Sequence, residues 1–308
     1  MAFFLGFDAG GTKTTCALGD DSHLLVRAVG GSIKPLRVSF ELARENMRSL
    51  LEEVAARSGV NLRTVSASCI GTAGVRLPQT QQWMRDILSP QAGGKITVVG
   101  DEEIALDGVF PGQAGVLIIA GTGSNTLGRT SKGQLIHVGG WGPVLRDEAS
   151  GYWIGLQALR AAFRALDYQQ PTIILDRVIE FWSAPSLEEV VNIANATPAP
   201  DFSKLAPVVL ACAEQGDAVA QHVLEEGGRL LGEDAVQAYQ RVRAIEPGAR
   251  PPGIAFTGSI FEKIAPVCES VIATIRRALP QAEIVPGVSD AIEGALWRAR
   301  QATHTAGS

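Results

Sequence analysis

The stretch FFLGFDAGGTKTTCAL, residues 3–18, decides the fold. An apolar run ends in Asp8, passes through Gly10, Gly11, Thr12 and Lys13, and turns apolar and β-branched again from Thr14. Glycines let backbone N–H groups converge on an anion, while threonine and lysine side chains add donors. A P-loop would need a glycine, four residues and then Gly-Lys-Ser/Thr, set between a strand and a helix. Gly6 and Gly11 have the first spacing, but Thr12 stands where the lysine belongs, and Thr14 to Leu18 reads as a strand. The segment is therefore a hairpin with phosphate-type chemistry at its turn.

The same plan returns at GVLIIAGTGSNTLGRT, residues 115–130, with Gly121, Thr122, Gly123 and Ser124 at the turn. Two such hairpins, each opening an α/β segment, predict a duplicated architecture with a cleft between the halves. A third strand with a Gly-Ser turn at its end, Gly258–Ser259, lies in GIAFTGSIFEKI, residues 253–264. Between these landmarks the pattern predicts a helix from Ser39 to Arg57, capped by Ser39 and ended by Gly59. Next come a strand TVSASCIG, a helix from Pro78 to Leu88 and a strand KITVVG. Strands alternating with crossover helices predict a largely parallel sheet. Glu148 to about Asp167 and Ser186 to Ala244 read as helical, as does Asp290 to about Ala302.

Composition narrows the function. At 308 residues, 46% hydrophobic and 19% charged, the chain is an ordinary globular protein long enough for two domains. A net charge of -5 argues against a nucleic-acid partner. The apolar N-terminus is cut short by Asp8, too soon for a signal peptide or a membrane span. Cys16, Cys69, Cys212 and Cys268 form no close pair, so they read as free thiols in a reducing cytoplasm. His23, His137, His222 and His304 do not cluster, and the acidic face of Glu225, Glu226, Glu233 and Asp234 is expected to face solvent.

Asp8 and Asp101 each close a strand, where α/β proteins place their ligands. Phosphoryl transfer needs a cation to neutralise phosphate charge and a group to take the nucleophile's proton. Asp8 is assigned to Mg²⁺, directly or through water, and Asp101 to the general base; Asp101 also suits a helix N-cap. The segment HVGGWGPVLRDEASGYWIG, residues 137–155, combines a Gly-Gly-Trp-Gly turn with Asp147 and Glu148. That mixture suits a polyhydroxylated substrate, and equally a helix cap with Trp141, Tyr152 and Trp153 in the core.

With these residues in place, the chain resembles the N-acetylglucosamine kinases within the BadF/BadG/BcrA/BcrD ATPase family. The resemblance spans nearly the whole chain and rests on DAGGTKT, GTGSN, GGWGPVLRDEASGYWIG, TGSIF and the closing DAIEGALWRA. It implies an α/β fold of two RNase H-like, actin-like ATPase domains closing over ATP, Mg²⁺ and an amino sugar. One domain would be 1–112 joined by the helix 290–302, the other 113–289. The resemblance implies that Gly10 to Thr14 and Gly121 to Ser124 hold the ATP phosphates. It places Gly216, Gly258 and Ser259 beside the adenosine, and Lys34, Asp101, Gly140, Trp141 and Asp147 at the sugar. Asp101 would take the proton of the sugar 6-hydroxyl, in a cytoplasmic homodimer.

Two departures stand out. The family's GDEGS is Arg146-Asp147-Glu148-Ala149-Ser150 here, and Ile33 or Lys34 falls where family kinases carry an asparagine. Lys34 or Arg146 is then expected to read an acidic group or a different 2-substituent. Two other classes compete. An activator ATPase of radical dehydratases would need closely spaced cysteine ligands for a cluster, which the four cysteines do not supply. A sugar or nucleotide sensor would have lost the carboxylates, and Asp8 and Asp101 are both present.

Overall fold

The structure, a computed structural model, describes residues 1–35 and 37–304. The chain divides into two compact units, Met1–Gln113 with the chain from Ser289 onward, and Ala114–Val288.

In the first unit, strand β1 (Phe4–Ala9) pairs antiparallel with β2 (Lys13–Gly19), and β2 with β3 (Leu24–Gly31). On its other side β1 pairs parallel with β4 (Ala67–Thr72), and β4 with β5 (Lys95–Val99). The order is β3-β2-β1-β4-β5. The sheet is thus evenly mixed rather than largely parallel, because the Gly-rich turn folds β2 straight back on β1 and a second tight turn does the same for β3. Helices α1 (Phe40–Ser58) and α2 (Pro78–Leu88) cover one face, packing Met47, Leu50, Val54, Met84 and Ile87 on Leu5, Phe7 and Cys16. Helices α3 (Asp101–Asp107) and α11 (Ala291–His304) cover the other, packing Ile104, Ile292 and Leu296 on Phe4 and Cys69. Burial on both faces explains why β1 reads as one apolar run instead of an alternation. The α1 ends behave as expected: Ser39 accepts the Leu42 N–H, and Gly59 ends the helix at φ 71°.

In the second unit, β6 (Gly115–Ala120) pairs antiparallel with β7 (Ser124–Arg129), and β7 with β8 (Leu135–Val138). Parallel to β6 run β9 (Gly253–Thr257) and then β10 (Ile284–Val288), in the order β10-β9-β6-β7-β8. Order and strand directions repeat those of the first unit. Where the first unit has α1 between its third and fourth strands, the second has α4 (Gly151–Asp167), α5 (Ile174–Trp182), α6 (Leu187–Ala194), α7 (Ala206–Glu214) and α8 (Ala218–Ile245). Helices α9 (Ser259–Lys263) and α10 (Ala265–Ala278) complete it. Helix α4 starts at Gly151, not Glu148, since Ser150 is its cap and accepts the Trp153 N–H.

The acidic-face expectation fails at one residue. Asp234 is 6% exposed and pairs with Arg146 at 2.5 Å, so it points into the unit. Cys16, Cys69 and Cys212 are buried free thiols and Cys268 is half-buried. Among the described residues, no helix is long and apolar enough to cross a membrane.

Candidate active site

In the first unit, register brings five strand ends to one edge. Ala9 faces Thr14 and Thr72, Lys13 faces Gly31, and Val99 faces Gly71. Asp8, the Gly10–Lys13 turn, the segment after β3 and Asp101 after β5 therefore share that edge. The turn is closed by the Gly10 N–H donating to Lys13 O at 3.0 Å, leaving Gly11, Thr12 and Lys13 exposed. Thr14 is fully buried, and its Oγ1 has no partner among the described residues.

Asp101 is the first residue of α3 rather than its cap; Gly100 holds the cap position, and Asp101 Oδ1 accepts the Glu102 N–H at 3.0 Å. Burial pushes the Asp8 carboxyl up, the negative charges of Asp101 and Asp290 push it further, and Lys13 opposes them. Three carboxylates thus converge electrostatically on the strand end. No group of three or more His, Cys, Asp or Glu among the described residues is arranged to hold a metal ion. The edge still fits Mg²⁺ that keeps its waters and arrives with a nucleotide, since such an ion needs only one or two carboxylates and would relieve the repulsion around Asp8.

The segment after β3 corrects one expectation. Ile33 is 0% exposed in the α1–α2 core, so it cannot touch a ligand. Its carbonyl accepts the Trp83 indole N–H at 2.8 Å, and Ser32 Oγ donates to Gly10 O at 2.9 Å. Lys34 is half-buried and begins a turn in which the Arg37 N–H donates to Lys34 O at 3.3 Å. Arg37, which the motifs did not single out, has its Nε 3.6 Å from where a Cβ on Gly11 would sit. Only the turn geometry reveals it.

In the second unit, Ala120 faces Ser124, Ile119 faces Thr257, and Thr126 faces Val138. The Gly121–Ser124 turn, Gly258–Ser259 and the Gly139–Trp141 segment consequently share an edge. A Cβ on Gly121 would lie 3.9 Å from Ser259 Oγ, and the Gly151 N–H donates to Gly121 O at 2.8 Å. Gly258 has φ 105°, and any Cβ there would meet Ala120 O at 2.2 Å, so only glycine fits. Gly140, at φ 69°, is exposed beside Asn125, and Trp141 is 69% exposed, which removes it from the core. Tyr152 and Trp153 do pack against the core. Gly216 sits in the α7–α8 turn at φ 88°, and the next residue, Asp217, caps α8 and accepts from Thr172 and Ile173.

Asp147 is 5% exposed, and its Oδ1 accepts the Ser124 N–H at 2.6 Å. Arg146 is engaged by Asp234 and Glu148, whose Oε1 lies 3.4 Å from its Nε. Burial raises the Asp234 carboxyl while Arg146 pulls against that rise. Ala149 adopts φ 57°, the left-handed conformation for which the family's glycine is suited.

Known proteins agree with this architecture. The model of the BadF/BadG/BcrA/BcrD ATPase family matches residues 5–299. An N-acetylmuramic acid/N-acetylglucosamine kinase from Clostridium acetobutylicum is 32% identical over 236 residues, covering 75% of this chain and 77% of that protein. An N-acetyl-D-glucosamine kinase from Dictyostelium discoideum is 26% identical over 307 residues, covering 95% and 96%. The crystal structure of a Chromobacterium violaceum protein assigned as an N-acetylglucosamine kinase superposes with a TM-score of 0.70 at 27% identity, covering 96% of this chain and 98% of that one. Two sheets of one topology, each ending in a glycine-rich edge, and a match running almost end to end lead to one conclusion: the chain belongs to the BadF/BadG/BcrA/BcrD ATPase family, among its kinases.

Proposed function

We propose that the protein transfers the γ-phosphate of ATP to the 6-hydroxyl of an amino sugar, N-acetylglucosamine first among candidates. The observation that carries the reading is the shared edge of the first unit, where Asp8 and Asp101 stand beside a Gly-Gly-Thr-Lys turn whose Gly11, Thr12 and Lys13 are exposed. Asp101 accepts the proton of the attacking hydroxyl, general-base help worth roughly 10² to 10⁴ in rate. The sugar oxygen bonds to the γ-phosphorus, the bond to the bridging oxygen breaks, and ADP leaves. The Gly10–Thr14 and Gly121–Ser124 turns, closed by the Gly10, Gly121 and Ser124 N–H groups, hold phosphate oxygens through their remaining donors, and Gly258, Ser259 and Gly216 border the adenosine. Gly140, Trp141, Asp147 and Lys34 contact the sugar, and Asp147 also holds the Ser124 N–H. Mg²⁺, when bound with the nucleotide beside Asp8, would neutralise charge on the phosphates. Homodimerisation and a cytoplasmic location belong to the same proposal.

A second reading, phosphorylation of N-acetylmuramic acid, is favoured by Lys34 and Arg37. No side-chain ion pair involving either is found among the described residues, and both belong to the turn tied to Gly10. A carboxylate on the sugar would supply their counter-charge.

The test is ADP release with Mg-ATP across N-acetylglucosamine, glucosamine, N-acetylmuramic acid, N-acetylmannosamine and glucose, with Asp101→Ala as the blank. Sugar-dependent turnover that vanishes in the variant supports the kinase and identifies its substrate. ATP binding without turnover on any sugar replaces the reading with a sensor.

A further inference from the structure

The closing motif DAIEGALWRA, residues 290–299, has no ligand-binding role in the proposed reaction, yet it is built against the helix that bears Asp101. At Gly294 a Cβ would lie 1.8 Å from Ile104 O and 2.6 Å from Gly108 N, so α11 meets α3 backbone to backbone. Ser289 Oγ donates to Ala105 O, and the Trp297 ring lies 3.0 Å from a Cβ position on Gly112. Helix α3 has only seven residues, too few to hold a direction by its own hydrogen bonds. Its orientation must come from what grips it.

Arg298 is the charged part of that grip. Its Nη2 lies 3.0 Å from Glu103 Oε2, and its Nε donates to Asp107, so one guanidinium spans a full turn of α3. The other oxygen of each carboxylate is used as well: Glu103 Oε1 accepts the Gly100 N–H at 3.1 Å, and Asp107 Oδ1 accepts the Gly112 N–H at 3.1 Å. Arg298 is 19% exposed and the Asp107 side chain 0%, so this is not a solvent-screened surface pair. The chain of contacts runs from Arg298 through Glu103 to Gly100, the residue immediately before Asp101.

We propose that Arg298 is a positioning residue for the base: through Glu103 it pins the Gly100–Asp101 corner and so aims the Asp101 carboxylate. The inference rests on the reading of Asp101 as the base of a kinase. Misplacing a catalytic group by about 1 Å can cost on the order of 10²-fold in rate, so loosening this corner acts on turnover more than on binding.

The experiment measures kcat, KM for Mg-ATP and for the sugar that the wild type turns over best, and the thermal midpoint. The variants are Glu103→Gln, Arg298→Lys and Arg298→Ala, with Arg300→Ala as a control. Arg300 anchors α11 elsewhere, donating to Asp20 O at 2.8 Å and His23 O at 3.2 Å. Expected are a kcat lower by about ten- to a hundredfold in Glu103→Gln and Arg298→Ala with both KM values within about twofold, partial recovery in Arg298→Lys, and a lower midpoint with unchanged kcat in Arg300→Ala. Full kcat in folded Glu103→Gln and Arg298→Lys overturns the positioning role, as does a fall in kcat that tracks the midpoint across all four variants. A wild type inactive on every sugar instead overturns the kinase reading itself. Should Arg298→Ala fail to fold, Glu103→Gln and Arg298→Lys decide the matter.

Discussion

The Asp147 carboxylate accepts the Ser124 N–H at 2.6 Å, joining the glycine turn of one motif to the acidic loop of another across 23 residues of chain. Substitution by alanine leaves a buried N–H unsatisfied, costing about 1–3 kcal/mol. Asp147→Ala should therefore lower the thermal midpoint and raise KM for ATP, while Asp147→Asn, which keeps an acceptor oxygen, should do less of both. Equal KM values in wild type and Asp147→Ala would show that the turn holds its shape without this bond.

Asp8 is expected to trade stability for function. Its folded carboxyl titrates above the ordinary value of 3.8, first through burial and then through Asp101 and Asp290. The folded state thus binds this proton more tightly than the unfolded chain, so Asp8 costs stability as pH rises from about 4 through its folded value and above. Asp8→Asn should melt higher than wild type at pH 7 by roughly 2–4 °C, the shift ~1 kcal/mol produces in larger domains, and the gap should close below pH 4. The same variant should lose Mg-ATP turnover. A midpoint difference independent of pH would refute the electrostatic account.

Asp101→Asn keeps the shape of the side chain and removes the proton acceptor. Turnover should fall by roughly 10² to 10⁴ with KM for ATP nearly unchanged, measured in steady state against the wild type. Loss of ATP binding in place of turnover would point to a structural role for this carboxylate.

Arg146 and Asp234 form a pair whose members differ in exposure: the Arg146 side chain is 45% exposed and that of Asp234 8%. Breaking a fully buried pair costs about 3–5 kcal/mol, and solvent beside Arg146 reduces this to about 1–2. A urea-unfolding cycle with Arg146→Ala, Asp234→Asn and the double variant should show the pair coupled, with Arg146→Ala the more harmful single change because it strands a buried carboxylate. Strictly additive effects would mean the pair contributes nothing.

Ala149 tolerates φ 57° because a methyl group is small, and a Cβ placed on Gly227 would already lie 3.4 Å from it. Ala149→Gly should remain within about 1 kcal/mol of wild type, strain relief offsetting lost burial, whereas the β-branched Ala149→Val should cost about 2–3 kcal/mol more. Chemical denaturation of the three proteins orders them.

Local signals made much of this protein legible. The glycine turns, the Ser39 cap, the Gly59 stop, the Pro78 helix start and the carboxylates at strand ends each depend on residues a few positions apart, so the chain announces them wherever it folds. The family was legible in the sequence as a resemblance carried above all by GGWGPVLRDEASGYWIG, a long motif, whereas DAGGTKT is shared across the wider superfold. Tertiary structure decided the rest. Strand direction on either side of β1 depends on register across the sheet, and the burial of Ile33 on a core gathered from α1 and α2. The inward turn of Asp234 toward Arg146 spans 88 residues, and the grip of Arg298 on Asp107 spans 191. A charged side chain has no intrinsic preference between water and a partner that distant; only the folded chain, by excluding the water and delivering the partner, settles which it takes.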